Sequence, residues 1–166
     1  MQPISSQNLD EMRKGFRLSA FLPFRMNRLA ERLTRDVMPV YRDSYGLTRP
    51  EWRVLAHLGA CGANTARDLV GLTALDKVQV SRAVAQLDKR GWLTREVDAE
   101  DRRVSLLTLT AQGQAAFEDL MPMMMAKQSE MLAAMDAGQR EAVERAICDL
   151  ERALGIACRY DQGAGD

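Results

Sequence analysis

The sequence predicts a mainly α-helical chain with one small β-hairpin. Apolar residues recur at helical spacing over most of the chain, and residues suited to helix N-caps stand before the apolar segments. Two short β-prone segments flank a charged loop at 98–103. The chain has 166 residues, of which 46% are hydrophobic and 28% are charged. This size and composition are typical of one folded domain, here with helical extensions.

Helix and strand boundaries follow from the same patterns. Residues suited to the N-cap position are Thr48, Thr65, Asp76, Thr110 and Asp136. Pro39 is expected to bend the first helix or to end its regular part, and Gly46 is expected to close it. A tight connection over 72–75 should join the third and fourth helices. We predict helices over 17–45, 49–60, 66–71, 77–90, 111–135 and 137–153, and strands over 92–97 and 104–109.

The predicted helix over 77–90 has two different faces. Its inward positions, at the i, i+3, i+4, i+7 spacing of a buried face, are Val80, Ala83, Val84 and Leu87. The side chains left outward or beside that face are Lys77, Gln79, Ser81, Arg82 and Gln86. These groups suit contacts with base edges and phosphates, and the helix N-terminus itself favours an anion. The plain alternative is a solvated helix surface.

The loop of the predicted hairpin carries two arginines beside carboxylates. Arg102 is suited to enter a narrow minor groove, where the potential of DNA is most negative. Arg103, two residues after Asp101, is expected to form the ion pair that holds the shape of the ribbon. The alternative is a solvated loop with a weak surface pair. Two helices joined by a tight turn and followed by a hairpin are the order of a winged helix-turn-helix.

Several segments resemble the MarR family of winged helix-turn-helix transcriptional regulators. The wing signature of that family, DxRx5LTxxG, is similar to residues 101–113, which read DRRVSLLTLTAQG. The segment over 47–55 resembles the second helix of the family, and 80–91 resembles its recognition helix with the turn that follows. The resemblance is continuous over about 47–113 and, with the flanking helices, covers most of the chain.

The resemblance implies a homodimer that binds double-stranded DNA. Within one MarR-like chain, 1–166, the winged helix-turn-helix part would cover 47–113. The N- and C-terminal helices, over 16–46 and 114–157, would form a dimerisation domain. Two recognition helices would then meet successive major grooves, so the operator should be an inverted repeat with half-sites about one turn apart. The expected regulation is repression that a small ligand releases.

Apolar stripes on the last two predicted helices agree with a dimer. The last helix carries Val143, Ile147, Leu150 and Leu154, and the helix before it carries Leu120, Met124, Met131 and Met135. A winged domain alone would leave these side chains too exposed. The alternative is that the stripes close an intramolecular bundle.

A ligand site is also implied by the resemblance. Members of the MarR family commonly bind small aromatic or phenolic anions between the dimerisation helices and the winged part, and then release DNA. The aromatic and charged residues near that junction are Phe21, Phe24, Arg25, Tyr41, Trp52 and His57. An aromatic wall with a guanidinium suits an aromatic carboxylate or an acyl-CoA. Core and dimer packing would explain the same residues equally well.

The cysteines and the single histidine give weaker signals. Three cysteines far apart in the sequence do not form the pattern of a disulfide framework. His57 and Cys61 have the i, i+4 spacing of two metal ligands, but no third ligand is evident, so we predict no metal and no other cofactor. Cys61 leaves a redox-sensing regulator as an alternative.

Charge and composition exclude several function classes. Lys and Arg outnumber Asp and Glu by 18 to 13 up to Arg103, and the ratio beyond it is 5 to 10, so a basic face is compatible with a net charge of zero. An enzyme is not expected, because the chain offers one histidine and no phosphate loop or nucleophile–base set. A winged protein-interaction module without DNA binding is the second function class.

The chain is expected to be cytoplasmic and without a membrane partner. Its N-terminal segment lacks the apolar core of a secretory signal. No apolar segment approaches the roughly 18 residues that cross a bilayer.

Overall fold

The computed structural model describes residues 16–97 and 105–156. A 3-10 turn at Leu18–Ala20 precedes the first helix. The helices are α1 (Leu22–Tyr45), α2 (Arg49–Cys61), α3 (Ala66–Thr73), α4 (Lys77–Lys89), α5 (Ala111–Met131) and α6 (Ala137–Ala153). The strands are β1 (Asn64–Thr65), β2 (Leu93–Val97) and β3 (Ser105–Leu109). The predicted class, mainly helical with a small β-hairpin, is confirmed, and no described helix is long and apolar enough to cross a membrane.

The chain divides into two compact units at the Val37–Met38 bond, inside α1. In the first unit, the ring of Phe16 lies 5.5 Å from the ring of Phe21. The large apolar side chains of this unit that are exposed are Phe16, Leu18, Phe21, Leu22, Met26, Leu29 and Leu33. These seven side chains therefore remain uncovered in a single chain.

The second unit has a core in which α2 packs against α3, α4 and α5, with β3 alongside. Its fully buried side chains are Tyr41, Leu47, Val54, Leu55, Leu69, Val80, Val84, Leu87, Leu107 and Leu120. Burying one such leucine stabilises the fold by about 1.5–3 kcal/mol. This unit holds the complete helix-turn-helix.

The predicted N-caps are all confirmed. The side chain of Thr48 accepts a hydrogen bond from the amide of Glu51, and the Glu51 carboxylate accepts one from the amide of Thr48. The hydroxyl oxygens of Thr65 and Thr110 accept from the amides of Asp68 and Gly113. Each cap satisfies one of the amides that a helix start leaves without a partner.

The three strands form an antiparallel sheet in the order β1-β3-β2. Strands β2 and β3 pair as the predicted hairpin, with Leu93 opposite Leu109 and Val97 opposite Ser105. Strand β1 was not predicted. It pairs Asn64 with Leu107, and its two residues are too few to show the alternation by which a strand is found in a sequence.

Four expectations about the helices need correction. Helix α1 begins at Leu22, after the 3-10 turn at Leu18–Ala20, and not at residue 17; of the two outcomes expected at Pro39, the helix does not end there and continues to Tyr45 as predicted. Helix α3 runs to Thr73, whose hydroxyl donates to the carbonyl of Leu69, so the connection is shorter than 72–75. Helix α5 ends at Met131, before the predicted 135. Leu120, placed on the stripe for the dimer, is 0% exposed within the single chain.

Candidate nucleic-acid interface and ligand cleft

Helix α4 divides its side chains as the sequence predicts. Val80, Ala83, Val84 and Leu87 are at most 2% exposed. The outward residues Lys77, Gln79, Ser81, Arg82 and Gln86 are all exposed. Ala74, in the turn before the helix, adopts a left-handed conformation with φ of +50°. The second helix of the pair therefore presents a polar face rich in hydrogen-bonding groups.

The first turn of α4 is held by a capping box. The carboxylate of Asp76 accepts from the amide of Gln79 at 2.8 Å, and the Gln79 side-chain oxygen accepts from the amide of Asp76 at 3.0 Å. Gln79 thus offers DNA only its side-chain NH2 group. The Asp76 carboxylate also occupies the position where an anion was expected, which weakens the case for phosphate binding at this helix end.

The hairpin is joined to α4 by an ion pair. The Nε of Arg95 on β2 donates to the carboxylate of Asp88 at 3.1 Å, and each side chain is 46% exposed. Because this pair neutralises Asp88, the one carboxylate on the outer part of α4 adds little repulsion toward a phosphate backbone. The predicted wing residues Arg102 and Arg103 lie outside the described residues.

Arg90 connects three parts of the second unit, a role that sequence reasoning missed. Its guanidinium donates to the carbonyl of Tyr45 at 2.8 Å and to that of Gly46 at 3.1 Å. It also lies over the ring of Trp92 at 5.3 Å. The end of α1 is thereby fixed to the residues between α4 and the hairpin. An arginine beside two aromatic residues is too common a pattern to have revealed it.

A cleft of about 400 Å³ opens beside α2, within the size range of small-ligand sites. Its lining residues are Trp52, Arg53, Ala56, His57, Ala60, Leu72, Thr73, Ala74, Phe117 and Met121. His57 is 6% exposed, and burial lowers the pKa of its imidazole. Trp52 stacks on Tyr41 with ring centroids 5.7 Å apart and ring planes 9° apart. The cleft has an aromatic wall and one neutral imidazole.

The guanidinium of the cleft belongs to Arg53, which the sequence analysis missed. Its Nη1 donates to the carbonyl of Thr73 at 2.7 Å and reaches that of Ala74 at 3.5 Å. Arg53 lies four residues before His57, so the two side chains share one side of α2. That spacing was a signal available in the sequence. Arg53 links the cleft directly to the turn before α4.

The predicted ligand residues fall into two groups. Trp52 and His57 line the cleft, and the buried Tyr41 stacks on Trp52. Burial raises the pKa of Tyr41, whose hydroxyl has no hydrogen-bond partner among the described residues. The others, Phe21, Phe24 and Arg25, belong to the first unit.

Comparison with known proteins relates the helix-turn-helix part of the chain to a family. The family model described as "MarR family" matches residues 45–104, which hold α2, α3, α4 and β2. A MarR-family transcriptional regulator from Silicibacter pomeroyi has the same fold, with 27% identity and a TM-score of 0.69, covering 81% of this chain and 90% of its own. Residues 45–104 of this chain thus match the MarR family.

Two further relatives agree with this assignment. BpsR of Bordetella bronchiseptica, whose DNA binding is regulated by 6-hydroxynicotinic acid, is 26% identical with a TM-score of 0.71, covering 82% of this chain and 96% of its own. The uncharacterised HTH-type transcriptional regulator YwaE of Bacillus subtilis is 23% identical over 139 residues, which are 84% of this chain and 77% of YwaE. These relatives are thus proteins of DNA binding and transcriptional regulation.

The threonine and the glycine in the second half of the MarR wing signature, Thr110 and Gly113, make specific contacts in this chain. The hydroxyl of Thr110 donates to the carbonyl of Gly91 at 2.7 Å, and its amide donates to the carbonyl of Trp92 at 3.0 Å. A Cβ at Gly113 would overlap that same Trp92 carbonyl. The threonine and the glycine therefore lock the start of α5 against the beginning of the hairpin.

Proposed function

We propose that this chain is a homodimeric repressor that binds an inverted-repeat operator and is released by a small aromatic or phenolic anion. The divided surface of α4 carries the proposal. Its apolar side is buried in its own unit, and its polar side is exposed at the position of a recognition helix.

The exposed face of α4 suits the major groove. Lys77 and Arg82 provide positive charge, and Ser81 lies between them as donor and acceptor. Arg pairs with guanine through two hydrogen bonds, and each good pair of this kind contributes about 1–3 kcal/mol of discrimination. We assign Lys77, Gln79, Ser81 and Arg82 to the major groove, with Gln79 acting through its NH2 group alone. Arg102 is assigned to the minor groove, with Arg103 holding the wing.

A second copy of the chain is proposed to cover the apolar faces at both ends. Helix α6 has no buried residue, and Val143 and Ile147 are 42% and 45% exposed. The exposed apolar residues of the first unit lie in the other segment of the proposed dimerisation domain. That domain consists of 16–46 and 114–157, beside a winged part at 47–113. Val143, Ile147 and Leu154 are exposed in the single chain, which supports a second copy over an intramolecular bundle.

The ligand is proposed to be a single-ring aromatic acid bound in the cleft. The rings of Trp52 and Phe117 offer a stacking wall, and Arg53 offers a guanidinium for a carboxylate. The unpartnered hydroxyl of Tyr41 is a further polar group near this wall, and leaving it unsatisfied costs about 1–3 kcal/mol. A cleft of about 400 Å³ favours such an acid over an acyl-CoA. The ligand of BpsR belongs to the same chemical class.

Through Arg53, a ligand bound in the cleft would affect α4. A carboxylate that draws the guanidinium away would release the carbonyls of Thr73 and Ala74, which lie directly before the capping box of α4. A ligand that binds the released arrangement more tightly shifts the chain toward it and away from the DNA-binding arrangement.

Random-sequence duplex selection at near-physiological salt tests the proposed function. Enrichment of an inverted repeat with half-sites about 10 base pairs apart is the expected result. If a folded, dimeric protein enriches no sequence, with and without aromatic acids, the protein-interaction module becomes the better hypothesis.

The wing is tested by Arg102→Ala, which should weaken operator binding by about 1–3 kcal/mol and lower its salt dependence. Arg152→Ala is the matched control, because Arg152 is an exposed arginine of α6 paired with Asp149. An Arg102→Ala variant with unchanged affinity and salt slope would contradict the wing assignment.

Redox sensing through Cys61 stays the alternative, with one structural argument against it. Cys61 is exposed and is the last residue of α2, so it is not placed at a helix N-terminus, where thiols are activated.

A further inference from the structure

One apolar side chain interrupts the polar face of α4. Val78 is 56% exposed, whereas Val80, two residues later, is 1% exposed. Among the side chains described between positions 34 and 120, Val78 is the one large apolar side chain that is exposed; the others lie toward the two ends of the chain. A patch for a protein partner would need a few hundred Å² of contiguous apolar surface. A single isolated valine does not provide one.

The position of Val78 has no structural requirement for valine. The side chain adds nothing to the core, and a β-branched residue is a poorer helix former than alanine. Val78 does share one side of the helix with Ser81 and Arg82, three and four residues later. The capping box formed by Asp76 and Gln79 fixes the first turn that carries it. Val78 is therefore a rigidly held apolar group among side chains proposed to contact bases.

We propose that Val78 recognises the 5-methyl group of a thymine in each half-site of the operator. This inference rests on the proposed function and extends it to one specificity-determining residue. Thymine is the one base that presents a methyl group in the major groove, and apolar side chains are its natural partners. Lys77 and Arg82 anchor the helix on either side of this contact, so the methyl group would be removed from water between protein groups.

The test replaces each thymine of a selected operator duplex, one at a time, by deoxyuridine, which removes only the methyl group. For the wild-type protein, one position in each half-site should weaken binding about fourfold, and both together about fifteenfold. For Val78→Ala, the same replacements should leave the affinity unchanged. Arg152→Ala, an exposed change on α6, is the control and should keep the full sensitivity to deoxyuridine.

Two results would overturn the assignment while leaving DNA binding intact. One is a wild-type protein that tolerates deoxyuridine at every position. The other is a Val78→Ala variant that shows the same sensitive positions as the wild type. Folding is not at risk in this variant, because Val78 is exposed and alanine is a better helix former. A wild-type protein that binds no duplex would instead refute the proposed function, and the assignment with it.

Discussion

Helices α4 and α6 begin with the same kind of N-cap, but their apolar faces differ in burial. Each starts with an Asp-x-x-Gln capping box, Asp76 with Gln79 and Asp136 with Gln139. Four apolar residues of α4 are buried within the protomer, whereas α6 has no buried residue and leaves Ile147 45% exposed. Helical periodicity shows which face is apolar, but it does not show whether the same chain covers that face.

The difference assigns the two helices to different partners. Since the apolar face of α4 is already covered by its own unit, its free face is polar and suits a polar partner such as DNA. The free face of α6 is apolar and suits a protein surface, which we propose to be a second copy of the chain.

The largest effect is expected for Gly113→Ala, which should disturb the packing of α5 against the residues between α4 and the hairpin. A Cβ there overlaps the carbonyl of Trp92, and backbone cannot move aside as a side chain can. We expect the free energy of unfolding to fall by about 3 kcal/mol, measured by urea denaturation at fixed protein concentration. The control is Gly71→Ala, where a Cβ meets open space. Equal stability of the two variants would contradict the packing described for Gly113.

Ile147→Glu tests the uncovered face of α6. A carboxylate buried in the proposed dimer interface should raise the dissociation constant of the dimer about 30-fold or more, as measured by analytical ultracentrifugation. Arg145→Glu places the same group on the opposite side of α6 and should leave dimerisation nearly unchanged. If both variants dimerise like the wild type, α6 does not form the interface.

Arg82→Ala tests the polar face of α4. Loss of one guanidinium from the proposed major-groove contact should weaken operator binding by about 1–3 kcal/mol. The variant should fold normally because Arg82 is exposed. Fluorescence anisotropy with a labelled operator measures the effect, and Arg152→Ala serves again as the control. Unchanged affinity would remove Arg82 from the interface.

Arg90→Ala tests the connection between α1 and the hairpin. Two hydrogen bonds to carbonyls and the contact with Trp92 are lost, so we expect about 1–2 kcal/mol of destabilisation. Arg95→Ala breaks a half-exposed surface pair with Asp88 and should cost about 0–1 kcal/mol. The reverse order of the two effects would show that Arg90 is not a connecting residue.

The smallest effect concerns His57 and pH. Burial lowers its pKa below the ordinary value of 6.5, so the unfolded chain binds the proton first as the pH falls. The stability contributed by neutral His57 is fully present above pH 6.5 and decreases as the pH falls toward the pKa of the folded state. The thermal stability of the wild type should decrease as the pH is lowered from 7.5 to 6.0, and the stability of His57→Gln should not change over this range. A variant with the wild-type pH dependence would contradict the assignment to His57.

Much of the fold could be predicted because its signals are local. The caps at Thr48, Asp76 and Asp136 and the buried face of α4 each depend on residues within one or two turns. The misses depend on distant parts of the chain. Strand β1 exists through pairing with β3, more than 40 residues away in the sequence.

The candidate site was predictable to the same extent. Exposure of Lys77, Ser81 and Arg82 follows from periodicity. The burial of Leu120 and the contact of Arg53 with the carbonyl of Thr73 follow from contacts that periodicity does not encode. The tertiary contact of Arg53 with the turn at Thr73 is the clearest case, since 20 residues separate them.

Sedimentation of the wild-type chain with a selected operator duplex tests the central claim most directly. We predict a complex of two chains per duplex, in which a duplex with one half-site scrambled binds far more weakly. One chain per duplex, or equal affinity for the intact and the half-scrambled operator, would contradict a homodimer that reads an inverted repeat through two copies of α4.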